Sequence, residues 1–229
     1  MHFERAVGTV KDDHKHFIED HLIFTKLRNG EFTRDHYLAY LRETYHLVKH
    51  TPSYLRIAAG NLDHDQTDLR DFYLKFATDE AGHEKLCVHD IKALGEDPEK
   101  VLGDKPSSGC WAMITQNYYL ANFGNPVALI GDSVATEDLG AGMATQSAKI
   151  LEEKYGYPKT ATTFLYVHGE EDVAHIENGR KLLEEYAGDS ESFAEIVHAW
   201  KMTLRSYSQL FTDVLNSGAT NGNRSKSAN

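Results

Sequence analysis

The sequence predicts an all-α protein, and three observations carry that prediction. Apolar residues recur at helical rather than strand spacing nearly throughout. Proline is scarce, at 5 of 229 residues, and long periodic segments run almost uninterrupted. No strand-like alternation and no internal repeat are present. The expected architecture is a single bundle of about seven helices over residues 1–215, with a low-complexity, disordered tail at 216–229.

The elements follow in order. A first helix is expected over about Phe3 to Leu27, with Phe17, His21, Phe24 and Leu27 on one face, stopped at Asn29-Gly30. Thr33 is an N-cap for a long second helix through Tyr37, Leu41, Tyr45 and Val48, bending near Pro52. After a turn at 61–65, a third helix is expected from Gln66 to Leu94, ended by Gly95. Residues 96–109 read as loop. Helices from Cys110 to Ala121 and from Asn125-Pro126 to Tyr155 come next, the second opened by an Asn cap and proline at its first position. Another is expected from Lys159 to Tyr186, and a last one to Leu215, with Ser192 and Glu195 as a capping box.

Composition narrows the function classes. The formal net charge is −11, from 24 basic and 35 acidic residues, which argues against nucleic acid and anionic membrane surfaces as partners. Two cysteines, Cys87 and Cys110, make neither a disulfide framework nor a Cys-type zinc site. The N-terminal stretch lacks the apolar run of a signal peptide, and no window approaches the roughly 20 apolar residues of a membrane span. A cytoplasmic enzyme or binding protein is expected. Thirteen histidines are the one compositional oddity.

Those histidines form a pattern. His168, Asp172 and His175 are spaced i, i+4 and i+7, so on a helix they fall within an arc of roughly 60°. Phe164, Leu165 and Leu182 share that side, which points the trio inward; a solvated face of a His-rich, acidic chain is the alternative. Glu80 and His83 are i, i+3, the spacing by which one bundle helix gives a carboxylate and an imidazole to a di-iron centre. Glu137 lies among small and apolar residues, at an outer edge or as a buried ligand. Together the three segments offer three imidazoles and three carboxylates and no thiolate. That donor set suits iron, with manganese second, better than structural zinc, and its number suits two ions. Binding would need neutral imidazoles and so should weaken below about pH 6.

The order of these motifs resembles the haem-oxygenase-like di-iron oxidases and oxygenases, on the CADD/UndA-like branch of the TenA/PqqC/haem-oxygenase superfamily. The resemblance covers roughly Asp20 to Phe211 at low identity. It rests on Gly30-Glu31-Phe32-Thr33, the stretch Tyr45 to Leu55, Asp79-Glu80, Ala93-Leu94-Gly95, Glu137, and His168 to His175 as H-x3-D-x2-H. In the CADD-like pattern the first ligand helix reads E-x6-H. Here Glu80-x2-His83 is shorter by four residues, about one helical turn, and is similar to the UndA branch. The resemblance implies a haem-oxygenase-like bundle and a homodimer. It also implies two non-haem irons held by Glu80, His83, Glu137, His168, Asp172 and His175, with Glu137 bridging. Glu84 is an alternative carboxylate and Glu43 an extra ligand. The implied partners are O2, a small organic substrate and an external reductant. The outcome is left open among C–C cleavage, decarboxylation, desaturation and N-oxygenation.

Departures from the pattern bear on function. CADD-like 4-aminobenzoate producers consume their own tyrosine with help from a lysine; the matching positions here are Phe24 and about Ser147, which argues against that activity. Phe24, Tyr45 and Tyr166 are candidate pocket residues. A TenA-type thiamin-pyrimidine hydrolase would need a nucleophilic cysteine, for which Cys110 is the candidate. A haem oxygenase would need a proximal histidine from His14, His16 or His21, whose flanks do not resemble that family. A PqqC-like cofactor-free oxidase would not need six metal-type ligands. The non-enzyme alternative is an acidic helical metal-binding protein.

Overall fold

The structure is a computed structural model describing residues 1–224, apart from the side chains of 170–176 and 218–224. Among the described residues all regular structure is helical. Twelve α-helices are present among the described residues where about seven are expected. The difference comes from breaks inside the long predicted segments, and two of those breaks shape the site.

The first predicted helix divides into α1 (His2–His14), a π-helical turn (Lys15–Glu19) and α2 (Leu22–Asn29). His21 causes the division. Its backbone is extended and its Nδ1 accepts from Ile23 N at 3.1 Å, capping α2. Thr33 caps α3 (Arg34–Val48) as expected, in a capping box completed by His36. Pro52 lies in the first turn of α4 (Thr51–Asn61), so the expected bend is a helix boundary. The segment predicted as one helix from Gln66 to Leu94 is α5 (Thr67–Asp79) and α6 (Glu84–Ala93), parted by a turn at 80–83.

A short α7 (Pro98–Val101) precedes α8 (Ser108–Asn122). A 3₁₀ turn then leads into α9 (Leu129–Leu139), a π turn (Gly140–Ala144) and α10 (Thr145–Tyr155). The helix expected from Lys159 begins as a 3₁₀ turn and becomes α11 (Thr163–Tyr186). The last helix, α12 (Ser190–Arg224), is capped by Asp189, whose Oδ1 accepts from Glu191 N and Ser192 N at 2.9 Å. The expected Ser192–Glu195 box does not form, because Glu195 instead bonds the Asn125 amide. The helix also runs past its expected end near Leu215. Ser217 Oγ donates to Asp213 O at 2.9 Å and Arg42 Nη2 to Ser217 Oγ at 3.4 Å, so small polar residues there bond back to the helix and to α3.

Helix α9 is the centre of the bundle. Leu129 to Ala135 are all buried, as is Glu137, and α9 packs on α8, α11 and α12. No amphipathic stripe marks such an element, because it is surrounded on every side. Its Asp132 and Glu137 are therefore acids inside the core. Among the described residues no helix is long and apolar enough to cross a membrane.

Candidate metal centre and its cavity

The turn between α5 and α6 builds the first part of the site. Glu80 ends α5, its N–H bonding Phe76 O at 2.9 Å, and Gly82 takes φ 100°, a left-handed conformation other residues resist. The chain then re-enters α6 at His83, whose Nδ1 lies 3.4 Å from Glu80 Oε2. The pair therefore meets across a helix break rather than along one helix, correcting the single helix expected there.

His168 approaches from α11. Its Nδ1 lies 2.9 Å from Phe164 O, and its ring stacks on Phe164 at 3.9 Å and meets the His83 ring edge-on at 5.1 Å. An Nδ1–H donated to that carbonyl leaves the ligating lone pair on Nε2, the arrangement by which outer partners orient a metal-binding imidazole. Glu80, His83 and His168 each offer a ligand atom, and these atoms lie within 4.8 Å of one another. One carboxylate and two imidazoles from separate elements, with no thiol, fit iron as a group.

Glu137 is buried and lines the cavity that Glu80 and His168 also line. Helix α11 is continuous through Asp172 and His175, but those two side chains lie outside the described residues. Glu84 opens α6 and is not part of the Glu80–His83–His168 cluster. Glu43 is fully buried and engaged elsewhere: Oε1 accepts from Arg42 at 2.8 and 3.0 Å, and Oε2 from Ser107 N at 2.7 Å.

The cavity has a volume of about 150 Å³. Phe24 and Ser147, the positions matched to the tyrosine and lysine of 4-aminobenzoate producers, both line it. Tyr45 and Tyr166 do not, correcting that expectation. On α3 the lining residues are Tyr37, Tyr40, Thr44, Leu47 and Val48, and Tyr45 sits a further 100° round from Thr44, under the Lys49 ammonium. On α11 they are Phe164, Leu165 and His168, and Tyr166 faces Lys159.

Cys110 is fully buried. Its Sγ contacts Glu43 O at 3.4 Å, and burial pushes its thiol up to about 12. It does not line the cavity, so the nucleophilic-cysteine alternative loses its residue.

Asp132 was not singled out from sequence, yet it lines the cavity one turn before Thr136 and Glu137. Its Oδ2 accepts from Asn117 Nδ2 at 2.9 Å and its Oδ1 from Thr203 Oγ1 at 2.7 Å. Burial pushes its carboxyl up to about 6 against the pull of those two bonds. The signal that marked Glu137, an acid among small and apolar neighbours, applies equally to Asp132.

Comparison with known proteins follows the same lines. A family model described as iron-containing redox enzyme matches residues 38–208. A 4-aminobenzoate synthase from Chlamydia trachomatis is 25% identical over 175 residues, spanning 74% of each chain. A Shewanella denitrificans domain of unknown function with a heme oxygenase-like fold superposes with TM-score 0.82 at 24% identity, covering 95% of this chain and 92% of the other. A TenA homologue from Pseudomonas syringae gives TM-score 0.79 at 11% identity, covering 93% and 92%. At these identities the solved structures establish the haem-oxygenase-like fold.

Proposed function

The chain belongs to the family of iron-containing redox enzymes, and from that premise we propose that it is a non-haem di-iron oxidase or oxygenase that uses O2 on a small organic substrate. The observation that carries this reading is the convergence of Glu80, His83 and His168 beside a mostly apolar cavity. Those three residues would hold one iron. Glu137, Asp172 and His175 would complete the set for a second, as the spacing of the sequence suggests. Iron bound there supplies the electrons that reduce O2.

The protein's own groups do the rest. Phe164 O fixes the tautomer and the plane of His168. Aromatic and aliphatic side chains, among them Phe24, Phe76, Met113 and Phe211, exclude water and hold the substrate's apolar part. Similarity to a 4-aminobenzoate synthase supports an enzyme acting on a small molecule. Phe24 and Ser147 take the positions where that chemistry uses tyrosine and lysine, so this chain would act on a bound substrate, not on itself.

Anaerobic Fe(II) loading followed by metal analysis and stopped-flow mixing with O2 tests the proposal. About two irons per chain and a transient visible band are expected. His168→Ala should lose most of the iron, while exposed His64→Ala should keep it. Equal iron in wild type and His168→Ala would overturn the reading.

A further inference from the structure

Asp132 is a carboxylate in the wall of a mostly apolar cavity, and among the described residues no Lys or Arg lines that cavity. Its two hydrogen bonds come from neutral groups, the Asn117 amide and the Thr203 hydroxyl, and among the described residues it takes part in no ion pair. The network behind it is anchored, since Thr203 Oγ1 in turn accepts from Gln116 Nε2 at 2.9 Å. The nearby phenols do not supply further donors. Tyr54 pairs with Thr51 and Tyr207 with Thr136, and burial holds both phenols well above their usual range, so both stay neutral. An ionised carboxylate has about four acceptor positions, and two of those on Asp132 are filled. An unneutralised charge in an apolar wall is costly to keep, and a cationic ligand would remove that cost.

The position fits a substrate's far end. Asp132 and Glu137 lie on the face of α9 that lines the cavity, five residues apart, which is a rise of about 7.5 Å along the helix. With the roughly 140° turn between the two positions, both acids face the cavity from different heights, which suits a ligand as small as a single ring with a one-carbon arm. The cavity, at about 150 Å³, matches the size that takes up one benzene ring in an engineered apolar core.

We propose that the cavity selects a small aromatic or similarly compact organic amine, its ammonium hydrogen-bonded to Asp132 and its apolar body directed along α9 toward Glu137. The proposal rests on this cavity being the substrate site, as in the function proposed above. Asp132 is then a specificity-determining residue: its charge and the two groups that hold it in place choose the cation. It is not a metal ligand and takes no part in holding iron.

Three probes of one shape separate the possibilities: benzylamine, benzyl alcohol and benzoate, titrated calorimetrically into the full chain as purified and again after iron loading. Benzylamine should bind at least about tenfold more tightly than benzyl alcohol, the size of one charge-assisted hydrogen bond, and benzoate should bind least. Asp132→Asn should abolish the preference while leaving benzyl alcohol within about threefold of wild type and the iron content unchanged. Asn117→Leu, which removes one supporting bond, should narrow it. Equal binding of the amine and the alcohol to wild type, no binding of any probe, or an amine preference that survives Asp132→Asn would overturn the proposal. Because the wild-type comparison needs no variant, a poorly folding Asp132→Asn does not rescue it. Amine selectivity in a protein that fails to load iron would sink the di-iron reading and leave this one standing.

Discussion

His83 Nδ1 sits 3.4 Å from Glu80 Oε2 across a break in the chain, with Gly82 at φ 100°. An uninterrupted helix from Gln66 to Leu94 would also place the two on one side. The break does more: it makes Glu80 the C-cap of α5 and His83 the N-cap of α6, so the pair is set by a turn, and α6 packs on α11.

Gly82→Ala should therefore act through backbone conformation. A Cβ there meets nothing closer than Lys85 Nζ at 3.7 Å, so crowding is not the issue. The left-handed conformation costs a non-glycine residue about 1–2 kcal/mol. We expect a loss of that size in urea denaturation and a parallel drop in iron content, with Lys85→Ala changing neither.

Gly169 is the opposite case. A Cβ at this position would lie 2.1 Å from Thr145 Oγ1 and 2.9 Å from Thr145 N, where α10 begins after the π turn. Gly169→Ala must push α11 away from α10, beside His168. The expected loss is about 1–3 kcal/mol, read from thermal denaturation, and iron affinity should fall. If Thr145→Ala restores no part of the stability, the clash is not the cause.

Glu43 separates a structural acid from a ligand. It is buried against Arg42 and the Ser107 amide. Glu43→Ala leaves Arg42 only Asp104 and Ser217, near the surface, and takes the acceptor from the Ser107 amide, so it should cost about 1–3 kcal/mol, while the folded fraction keeps its iron. Loss of iron at unchanged stability would instead make Glu43 a ligand.

Asp132 gives stability a pH dependence of defined sign. Its folded carboxyl is raised to about 6 from an ordinary value near 4, so the folded state holds the proton more tightly than the unfolded one. Its contribution is most favourable below about pH 4 and is lost as pH rises to about 6; above that, the buried charge is a burden of about 1–3 kcal/mol. Asp132→Asn should flatten that part of the stability curve, and at pH 7.5 should be no less stable than wild type. An unchanged slope between pH 4 and 6 would show that another group controls it.

Much of this molecule was legible in its sequence. Helical spacing of apolar residues gives the all-α bundle, because burying one face of each helix is a local requirement. Thr33 as a cap and Gly30 as a terminator are equally local, whereas the helix start at Pro52 read only as a bend. Of the residues that the Glu80-x2-His83 and His168-x3-Asp172-x2-His175 spacings picked out, Glu80, His83 and His168 come together in the structure. Tertiary structure decided the rest. It placed a helix break inside Glu80–His83, a π turn after α9, and α9 at the centre. It set the rotation of α3 and α11, so that Thr44 and His168 line the cavity while Tyr45 and Tyr166 do not. It engaged Glu43 with Arg42 and turned Asp132 into the wall of the cavity. Periodicity reports which side of a helix is apolar; only packing against other helices fixes which buried acid meets a cation, which meets an amide, and which is left facing a space that a ligand can fill.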